Sequence, residues 1–477
     1  MAVVLNAPFS WQNATGDMKT VLEGLQPNIL KGHTREFLTV LFIQFDTAIA
    51  GRKLLKSLVS VSGKPLVKSA LTHLQEVLAF NTARRSGRPN PPSGTPYVGV
   101  GITKAGYDLL GVAQALQPKD AAFQAGMKKS LLDDPPLVQW ETVYQANFHA
   151  VLLIGDAAFR PQDAARKRVE KLVSKTAGVH VAGRQEGNSL HNKNRDGIEH
   201  FGYVDGRSQP LFLTEDLEHE EFECDGIANW DPGFAPSRAI VPDRAAPNPA
   251  LQFGSYFVFR KLEQDVHKFK IAEEAFAKKL DLKGDDVERA GAMIVGRFED
   301  GTPVTSQRAD GAHRPVQNNF NYDSDSKGGK CPFFGHIRKM NPRGSGGFES
   351  VADERLHIMA RRGQTYGIRT DDPNDSRVFN KPKDSVGLLF MAFNADLRQQ
   401  FEFVQKNWAN NAGFPAAPNP PGLDMVIGQG PRPNVSCNVK WGEKDSPPIN
   451  VPSVPQCVTM KGGEYFFMPS LPFLASL

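Results

Sequence analysis

Residues 37–63 read "FLTVLFIQFDTAIAGRKLLKSLVSVSG". The first ten residues are rich in β-branched and aromatic types, which predicts a strand. The remainder has apolar residues at helical spacing and ends on glycine, which predicts a helix. Residues 147–178 repeat this order, with the strand pattern "NFHAVLLIGDAA" followed by the amphipathic helix pattern "RPQDAARKRVEKLVSKTAG". A strand followed by a helix is therefore the expected building unit of the first half of the chain.

The same unit returns in the second half of the chain. Residues 254–280, "GSYFVFRKLEQDVHKFKIAEEAFAKKL", and residues 384–411, "DSVGLLFMAFNADLRQQFEFVQKNWANN", both indicate a strand followed by a helix. The repetition predicts an α+β protein with two halves of similar design, each a sheet with helices on one face. The expected divisions are an N-terminal arm over 1–35, a first half over 36–212, a linker over 213–252 and a second half over 253–477.

Composition excludes several classes of function. The net charge of the 477-residue chain is +4 and no long basic block occurs, so we expect no nucleic-acid partner. No apolar run is long enough to cross a membrane, so we expect no membrane partner. The N-terminus lacks a secretory signal, which predicts a cytoplasmic protein, or a secreted one if a leader is missing from the sequence. Oligomeric state cannot be predicted from these features.

The cysteines and aromatic residues give weaker indications. The chain has 31 Phe against 8 Tyr and 5 Trp, a composition able to line a cavity for a large planar ligand. The spacing of the four cysteines fits no zinc motif, and a disulfide between Cys437 and Cys457 stays open.

Three short motifs carry candidate chemistry. His336 lies in "CPFFGHIRKMNPR", residues 331–343, where apolar rings and several cations suit a haem ligand, although a partly buried histidine is the commoner meaning of such a pattern. Two arginines follow an apolar run in "HIMARRGQTYG", residues 357–367, and a buried arginine needs an anion. Asp205 lies in "GYVDG", residues 202–206, which is either a simple turn or a turn that presents a proton-transfer carboxylate.

Together and in this order, the three motifs resemble the dye-decolorizing peroxidases. Further similar segments are "LQPNILKGHTREF" at 25–37, "VGLLFMAF" at 386–393 and "PGLDMVIGQG" at 421–430. The resemblance runs from about residue 25 to the C-terminus. It implies two ferredoxin-like halves, one haem b per chain, and haem in the C-terminal half.

The resemblance also assigns roles by position in these motifs. It implies that His336 is the iron ligand and that Asp424 hydrogen-bonds the far nitrogen of its imidazole. Asp205 matches the distal acid-base group, and Arg361 matches the distal arginine, with Arg362 as the alternative. Leu388 and Phe390 match residues that wall the distal pocket. Trp408 and Tyr366 match electron-transfer residues, and Trp408 is expected to be partly exposed. Arg338 and Arg343 are expected to contact the haem propionates, an inference from charge.

The activity implied is that of a peroxidase. Hydrogen peroxide would produce an oxyferryl haem with a porphyrin radical, and two one-electron oxidations of dyes, phenols or other aromatic reductants would return the resting state. An aspartate has an ordinary pKa of about 3.9, so we expect an acidic optimum. The alternatives are a haem-binding or iron-releasing protein with little peroxidase activity, a protein without haem, and a haem site that uses the thiolate of Cys331.

Overall fold

The fold is seen in a computed structural model of the chain. It describes residues 3, 5–60, 65–86, 95–223, 226–311, 316–375, 377–443 and 446–477, with the backbone alone at residues 84, 85 and 285. In these ranges the strands are β1 Phe37–Phe45, β2 Tyr97–Ile102, β3 Ala150–Asp156, β4 Val179–Asn188, β5 Leu190–His191, β6 Gly197–Ile198, β7 Val241–Pro242, β8 Phe253–Gln264, β9 Ala360–Arg361, β10 Gln364–Tyr366, β11 Gly387–Asn394, β12 Val435–Cys437, β13 Ile449–Val451 and β14 Val458–Met468.

Helices are present in the segments 46–63, 160–178 and 265–280, where periodicity predicted them. In the described ranges they are α1 Gly16–Gly24, α2 Ala48–Ser60, α3 Ala70–Arg85, α4 Lys104–Leu109, α5 Ala121–Ala125, α6 Thr142–Gln145, α7 Phe159–Lys175, α8 Thr214–Glu223, α9 Val266–Lys279, α10 Arg289–Val295, α11 His336–Met340, α12 Val351–Leu356, α13 Phe401–Phe403 and α14 Leu471–Ser476. The helix expected after β11 is short, and a π-helical turn over Val404–Ala409 continues it.

Two sets of four strands share one connectivity. In the first half the spatial order is β4-β1-β3-β2, and in the second it is β14-β8-β11-β10, with all of these pairs antiparallel. Numbered within each half, both orders are 4-1-3-2. With helices α2 and α7 in the first half and α9 in the second, this is the ferredoxin-like arrangement that was expected. The predicted α+β fold with two ferredoxin-like halves is confirmed.

The two halves meet edge to edge in one sheet. β14 pairs with β2 through Phe467 and Ile102, so the strands of both halves belong to a single ten-stranded sheet within the described residues. Apolar packing covers this junction, because the Phe42 ring of β1 lies 5.0 Å from Phe259 of β8 and 6.4 Å from Phe466 of β14, between ring centroids. One hydrophobic core therefore extends across both halves.

The segments 213–252 and 300–385 are more ordered than a linker or a long loop implies. The segment 213–252 contains α8 and β7, and β7 pairs with β8. Residues 300–385 are mostly irregular but hold α11, α12, β9 and β10. The division of the chain at residues 35, 212 and 252 stays a prediction.

The described cysteines are unpaired, and the described helices include no candidate membrane span. Cys331, Cys437 and Cys457 are buried free thiols, so Cys437 and Cys457 do not form the disulfide that the sequence allowed. Cys224 lies outside the described residues. Within the part of the chain that the structure describes, no helix combines the length and the apolar character needed to cross a bilayer.

Candidate active site

A cavity of about 880 Å³ lies between the second-half sheet and the loops that follow it. Its wall includes the N-terminal arm over 30–36, the loop that follows β6, the end of β8, α11, and the strands β9 and β11. The volume falls in the range of cavities that enclose a small-molecule ligand or cofactor. His336, Asp205 and Arg361 all line it.

The loop before α11 fixes where His336 begins its helix. The Asp325 carboxylate accepts hydrogen bonds from the backbone N–H of Lys330 at 2.9 Å and of Cys331 at 2.8 Å. The same carboxylate pairs with the Arg338 guanidinium at 3.0 Å, and that guanidinium stacks on the Phe333 ring, 4.2 Å from its centroid. A buried charge with several partners resists displacement, so this cluster anchors the short helix α11.

Lys339 ties α11 to the segment that carries Asp424. Its buried ammonium donates to the carbonyl oxygens of Asn411 at 3.0 Å and Gly422 at 2.8 Å, and also to that of Phe414. Burial lowers the pKa of Lys339 to about 7. Because three backbone carbonyls converge on one side chain, α11 and the segment before Asp424 are held at a fixed distance from each other.

His336 and Asp424 form a hydrogen-bonded pair at one side of the cavity. The imidazole Nδ1 lies 2.9 Å from Asp424 Oδ2, and Asp424 Oδ1 accepts from the backbone N–H of Val426 at 2.8 Å and of Ile427 at 2.7 Å. Burial alone would lower the pKa of His336, but the charge of and hydrogen bond to Asp424 outweigh it and leave the pKa raised. Burial likewise opposes the Asp424 charge, yet His336 keeps the pKa of that carboxyl lowered. With Nδ1 engaged, Nε2 is the ring nitrogen left for a ligand in the cavity.

The turn after β6 presents Asp205. Its backbone N–H donates to the Gly197 carbonyl at 3.1 Å, and Val204 bridges to Ile198. Gly202 and Gly206 on either side have φ values of +105° and +81°, which side-chain-bearing residues rarely adopt. The carboxylate is 41% exposed, and it lines the cavity. The motif is therefore a tight turn, and this turn delivers a carboxylate to the cavity.

Arg361 lies beside this carboxylate. One terminal guanidinium nitrogen, Nη1, is 3.9 Å from Asp205 Oδ1, and the other, Nη2, donates to the Arg207 carbonyl at 2.9 Å. The backbone N–H of Arg361 donates to Gln209 Oε1 at 3.0 Å. The loop after Asp205 thus holds both the backbone and the side chain of Arg361.

Arg362 takes a structural position instead. Its Nε and Nη2 donate to the carbonyl oxygens of Asn28 and Ile29, each at 3.0 Å. The guanidinium therefore caps the N-terminal arm, although the residue also borders the cavity. Successive residues of an extended strand face opposite ways, which separates the two neighbouring arginines.

Three predicted contacts are not brought to the cavity. Arg338 is buried against Asp325, as described above. The Arg343 guanidinium donates to Asn318 Oδ1 and to Ser208 Oγ, both at 2.8 Å, and lies 3.8 Å from the Phe320 centroid. Neither arginine lines the cavity, so the expectation of propionate contacts, drawn from charge alone, is not met. Cys331 is also buried away from the cavity wall and burial raises its pKa to about 12, which disfavours a thiolate ligand.

The two predicted wall residues line the cavity, whereas both electron-transfer candidates are buried in the protein. Leu388 and Phe390 of β11 line the cavity as expected. Trp408 is 1% exposed, so the expectation of a partly exposed side chain is wrong. Its ring stacks on Phe414 with 5.1 Å between centroids, and the π-helical turn points it inward. Tyr366 is also buried, and its hydroxyl has no hydrogen-bond partner among the described residues.

Two parts of the site escaped the sequence analysis. The arm segment Leu30–Glu36 forms a continuous part of the cavity wall, although its motif was noted only as a resemblance. Glu199, six residues before Asp205, also lines the cavity. A glutamate in a polar run gives no pattern that separates it from a surface residue, so spacing alone could not identify it.

The residues present fit a haem. An imidazole with a carboxylate partner is a suitable axial ligand, and the walls beside it are apolar, with Ile337, Met340, Leu388, Phe390 and Val426 lining the cavity. The same cavity holds the Asp205 carboxylate and the Arg361 guanidinium. The class of protein that this fold and site define is a haem-dependent oxidoreductase.

Comparison with known proteins narrows the class. The multifunctional dye peroxidase DyP2 of Amycolatopsis sp. is 55% identical over 482 aligned residues, which cover the whole of both chains. A solved structure of DyP2 from that genus matches with a TM-score of 0.94, at 54% identity and full coverage of both chains. A DyP-type peroxidase of Anabaena sp. matches with a TM-score of 0.87 at 33% identity, over 98% of this chain and 97% of that one. No protein-family model matches the chain.

The chain belongs to the dye-decolorizing peroxidase family. It is therefore a haem peroxidase, an enzyme whose substrates are hydrogen peroxide and a reductant.

Proposed function

We propose that this peroxidase holds one haem b through His336 and uses hydrogen peroxide to oxidise dyes, phenols and other aromatic reductants in one-electron steps. The observation that carries the proposal is the 2.9 Å contact between His336 Nδ1 and Asp424 Oδ2 in the wall of a cavity that also holds Asp205 and Arg361. The dye-peroxidase names of the relatives support the reductant class.

Each of the four residues has a distinct task. When bound, the haem supplies the iron and the redox capacity for the reaction with peroxide. Asp424 keeps the His336 ring in one orientation and makes Nε2 a stronger donor. Asp205 accepts a proton from hydrogen peroxide and returns it to the oxygen that leaves as water. The Arg361 guanidinium stabilises the negative charge that develops as the O–O bond breaks.

The cavity walls contribute to the same reaction. Leu388 and Phe390 are apolar parts of the cavity wall, and an apolar wall strengthens electrostatic interactions in the cavity. Asp205 lies 3.9 Å from Arg361, so the carboxylate and the guanidinium can act on the same peroxide molecule.

An electron path to the surface is a second part of the proposal. The His357 ring lines the cavity and lies 5.3 Å from the Trp408 ring, which stacks on Phe414, and Phe414 lies 6.2 Å from the 66%-exposed Phe348. Trp408 is the readily oxidised ring in this series. Large reductants that cannot enter the cavity would deliver their electrons through it. Tyr366 of β10 is the other candidate.

Haem content tests the ligand assignment. His336→Ala removes the imidazole but leaves the Asp325–Arg338 anchor of α11 in place. We expect the purified variant to carry little haem, or a haem with an altered absorption spectrum, while His357→Gln keeps the haem and its spectrum. A His336→Ala protein with full haem and an unchanged spectrum would move the ligand to another residue.

A further inference from the structure

The loop 206–209 holds Arg361 at two points. The Arg207 carbonyl accepts from Arg361 Nη2 at 2.9 Å, and Gln209 Oε1 accepts from the Arg361 backbone N–H at 3.0 Å. Ser208 lies between these two partners and also lines the cavity. The position of the Arg361 guanidinium therefore depends on the conformation that the chain adopts at Ser208.

Ser208 has an unfavourable backbone conformation. Its φ is +62°, in the left-handed region that residues other than glycine seldom adopt. Arg343, in the loop that follows α11, is left-handed as well, with a φ of +52°. A strained backbone persists only where the surrounding structure holds it. Side-chain contacts must therefore hold both residues in place.

The two strained residues are hydrogen-bonded to each other. Arg343 Nη2 donates to Ser208 Oγ at 2.8 Å, and the Ser208 hydroxyl donates in turn to Asn318 Oδ1 at 2.6 Å. Arg343 Nη2 also donates to Asn318 Oδ1 at 2.8 Å, so the three side chains form a closed triangle. Hydrogen bonds from a charged donor are stronger than neutral ones. The triangle therefore anchors the loop 206–209 to the segment that follows α11.

Arg343 is itself firmly placed. Its Nη1 donates to the carbonyl oxygen of Asn318 at 2.9 Å and to that of Phe320. The guanidinium carbon lies 4.5 Å from the centroid of the Trp230 ring and 3.8 Å from that of the Phe320 ring. Burial lowers the pKa of Arg343 to about 9, so the side chain keeps its charge at neutral and acidic pH. A guanidinium fixed by two rings and several oxygens gives Ser208 a defined partner position.

We propose that Arg343 and Ser208 are positioning residues, which hold the loop 206–209 in its strained conformation and thereby place the Arg361 guanidinium for peroxide cleavage. This positioning rests on the role of Arg361 given above. Arg343 does not line the cavity, so its effect on the reaction passes through Ser208 and Arg361.

Hydrogen exchange at the Arg361 amide of the holoenzyme tests the positioning directly. This N–H donates to Gln209, so its protection reports whether the loop stays in place. We expect Ser208→Ala to exchange this amide about fivefold faster than the wild type, as the loss of one hydrogen bond implies. Ser385→Ala is the matched control and should leave the exchange unchanged, because Ser385 is an exposed serine with a φ of +62° whose hydroxyl donates to Asp384 Oδ1 at 2.9 Å.

The second-order rate constant for peroxide separates positioning from a general loss of structure. Ser208→Ala should lower it about tenfold in the wild-type background but by less than about twofold in the Arg361→Leu background, because the effect passes through the missing guanidinium. Arg343→Lys keeps the charge but loses the forked donor geometry, and it should show the same pattern. Equal losses in both backgrounds would overturn the proposal.

Ser208→Gly keeps the test valid if Ser208→Ala does not fold. Glycine adopts the left-handed backbone without strain but lacks the hydroxyl, so the Arg361 amide should still exchange faster than in the wild type. Wild-type exchange at this amide in both variants refutes the proposal and leaves the role of Arg361 standing. A wild-type peroxide rate in Arg361→Leu would instead refute that role, while the exchange result still decides whether Ser208 holds the loop.

Discussion

The pair formed by Asp205 and Arg361 is the part of the site where single substitutions have the clearest consequence. Asp205→Asn keeps the size of the side chain but removes its capacity to accept a proton, and we expect the peroxide reaction to slow by about 10² to 10⁴-fold. Arg361→Leu removes the charge opposite the breaking bond, and we expect a loss of about 10² to 10³-fold. Stopped-flow absorption after mixing with peroxide measures both. Wild-type rates in both variants would contradict the assignment.

One predicted contact between two motif residues is present in the structure, whereas the contacts inferred from charge alone are not. His336 and Asp424 were identified 88 residues apart and form one hydrogen bond. Arg338 was expected at the cavity because it is a cation close to His336, yet it pairs with Asp325 in the loop before α11. A sequence shows that an arginine is near a histidine along the chain, but not which buried carboxylate lies within its reach.

At the scale of elements, the N-terminal arm is held by Arg362. Arg362→Leu removes the donors to the Asn28 and Ile29 carbonyls, and unsatisfied buried carbonyls cost about 2 to 4 kcal/mol in total. We therefore expect a lower denaturant midpoint for this variant, with a far smaller effect on the peroxide reaction than in Arg361→Leu. If Arg362→Leu is the slower enzyme and retains full stability, the two arginines have been interchanged.

The arm also carries an acid-sensitive contact. His33 is buried against His73, with 5.1 Å between ring centroids, and burial lowers the pKa of His33 to about 4. As the pH falls from 6.5 to 4, the unfolded chain binds a proton at His33 and the folded chain does not, so the free energy of unfolding falls.

His33→Gln keeps a donor for the Thr95 carbonyl and cannot titrate. Between pH 7 and pH 4.5 we expect this variant to lose about 2 kcal/mol less stability than the wild type, from denaturant unfolding at each pH. Burial raises the pKa values of Asp156 and Asp243 to about 6. Their titration changes the free energy of unfolding equally in the variant and the wild type, so it cancels in the comparison. The exposed His180→Gln should match the wild type, and an equal acid loss in His33→Gln would refute the role of His33.

Strands and helices could be predicted where the apolar pattern is long, but not where the local helical geometry is irregular. β1, β3 and α7 were identified because their apolar periodicity is continuous over many residues. The segment after β11 shows polar residues beside Trp408, which indicated exposure. Its π-helical turn instead rotates the ring into the core, and Gln405 is buried as well, donating to Asn410 Oδ1 at 3.0 Å. Local polarity could not reveal that change of helical pitch.

At the scale of the whole molecule, a series of rings leads from the cavity to the surface through His357, Trp408, Phe414 and Phe348. It predicts that large reductants and small reductants are oxidised by different routes. Trp408→Phe keeps the stack on Phe414 but removes the readily oxidised indole, so turnover of a bulky anthraquinone dye should fall strongly while that of a small phenol changes little. Steady-state rates with both reductants measure the split, and Tyr366→Phe tests the other candidate in the same way. Equal retention of both activities in the double variant would rule out a relay through either ring.

The position of β14 sets the order in which the protein can become functional during its synthesis. This strand lies between β8 and β2 in the sheet, yet the ribosome makes it after every other described strand. Until residues 458–468 emerge, β8 lacks its β14 neighbour and Phe42 lacks the ring of Phe466. We therefore expect a chain that ends before residue 458, which lacks this strand, to retain haem less well than the full chain.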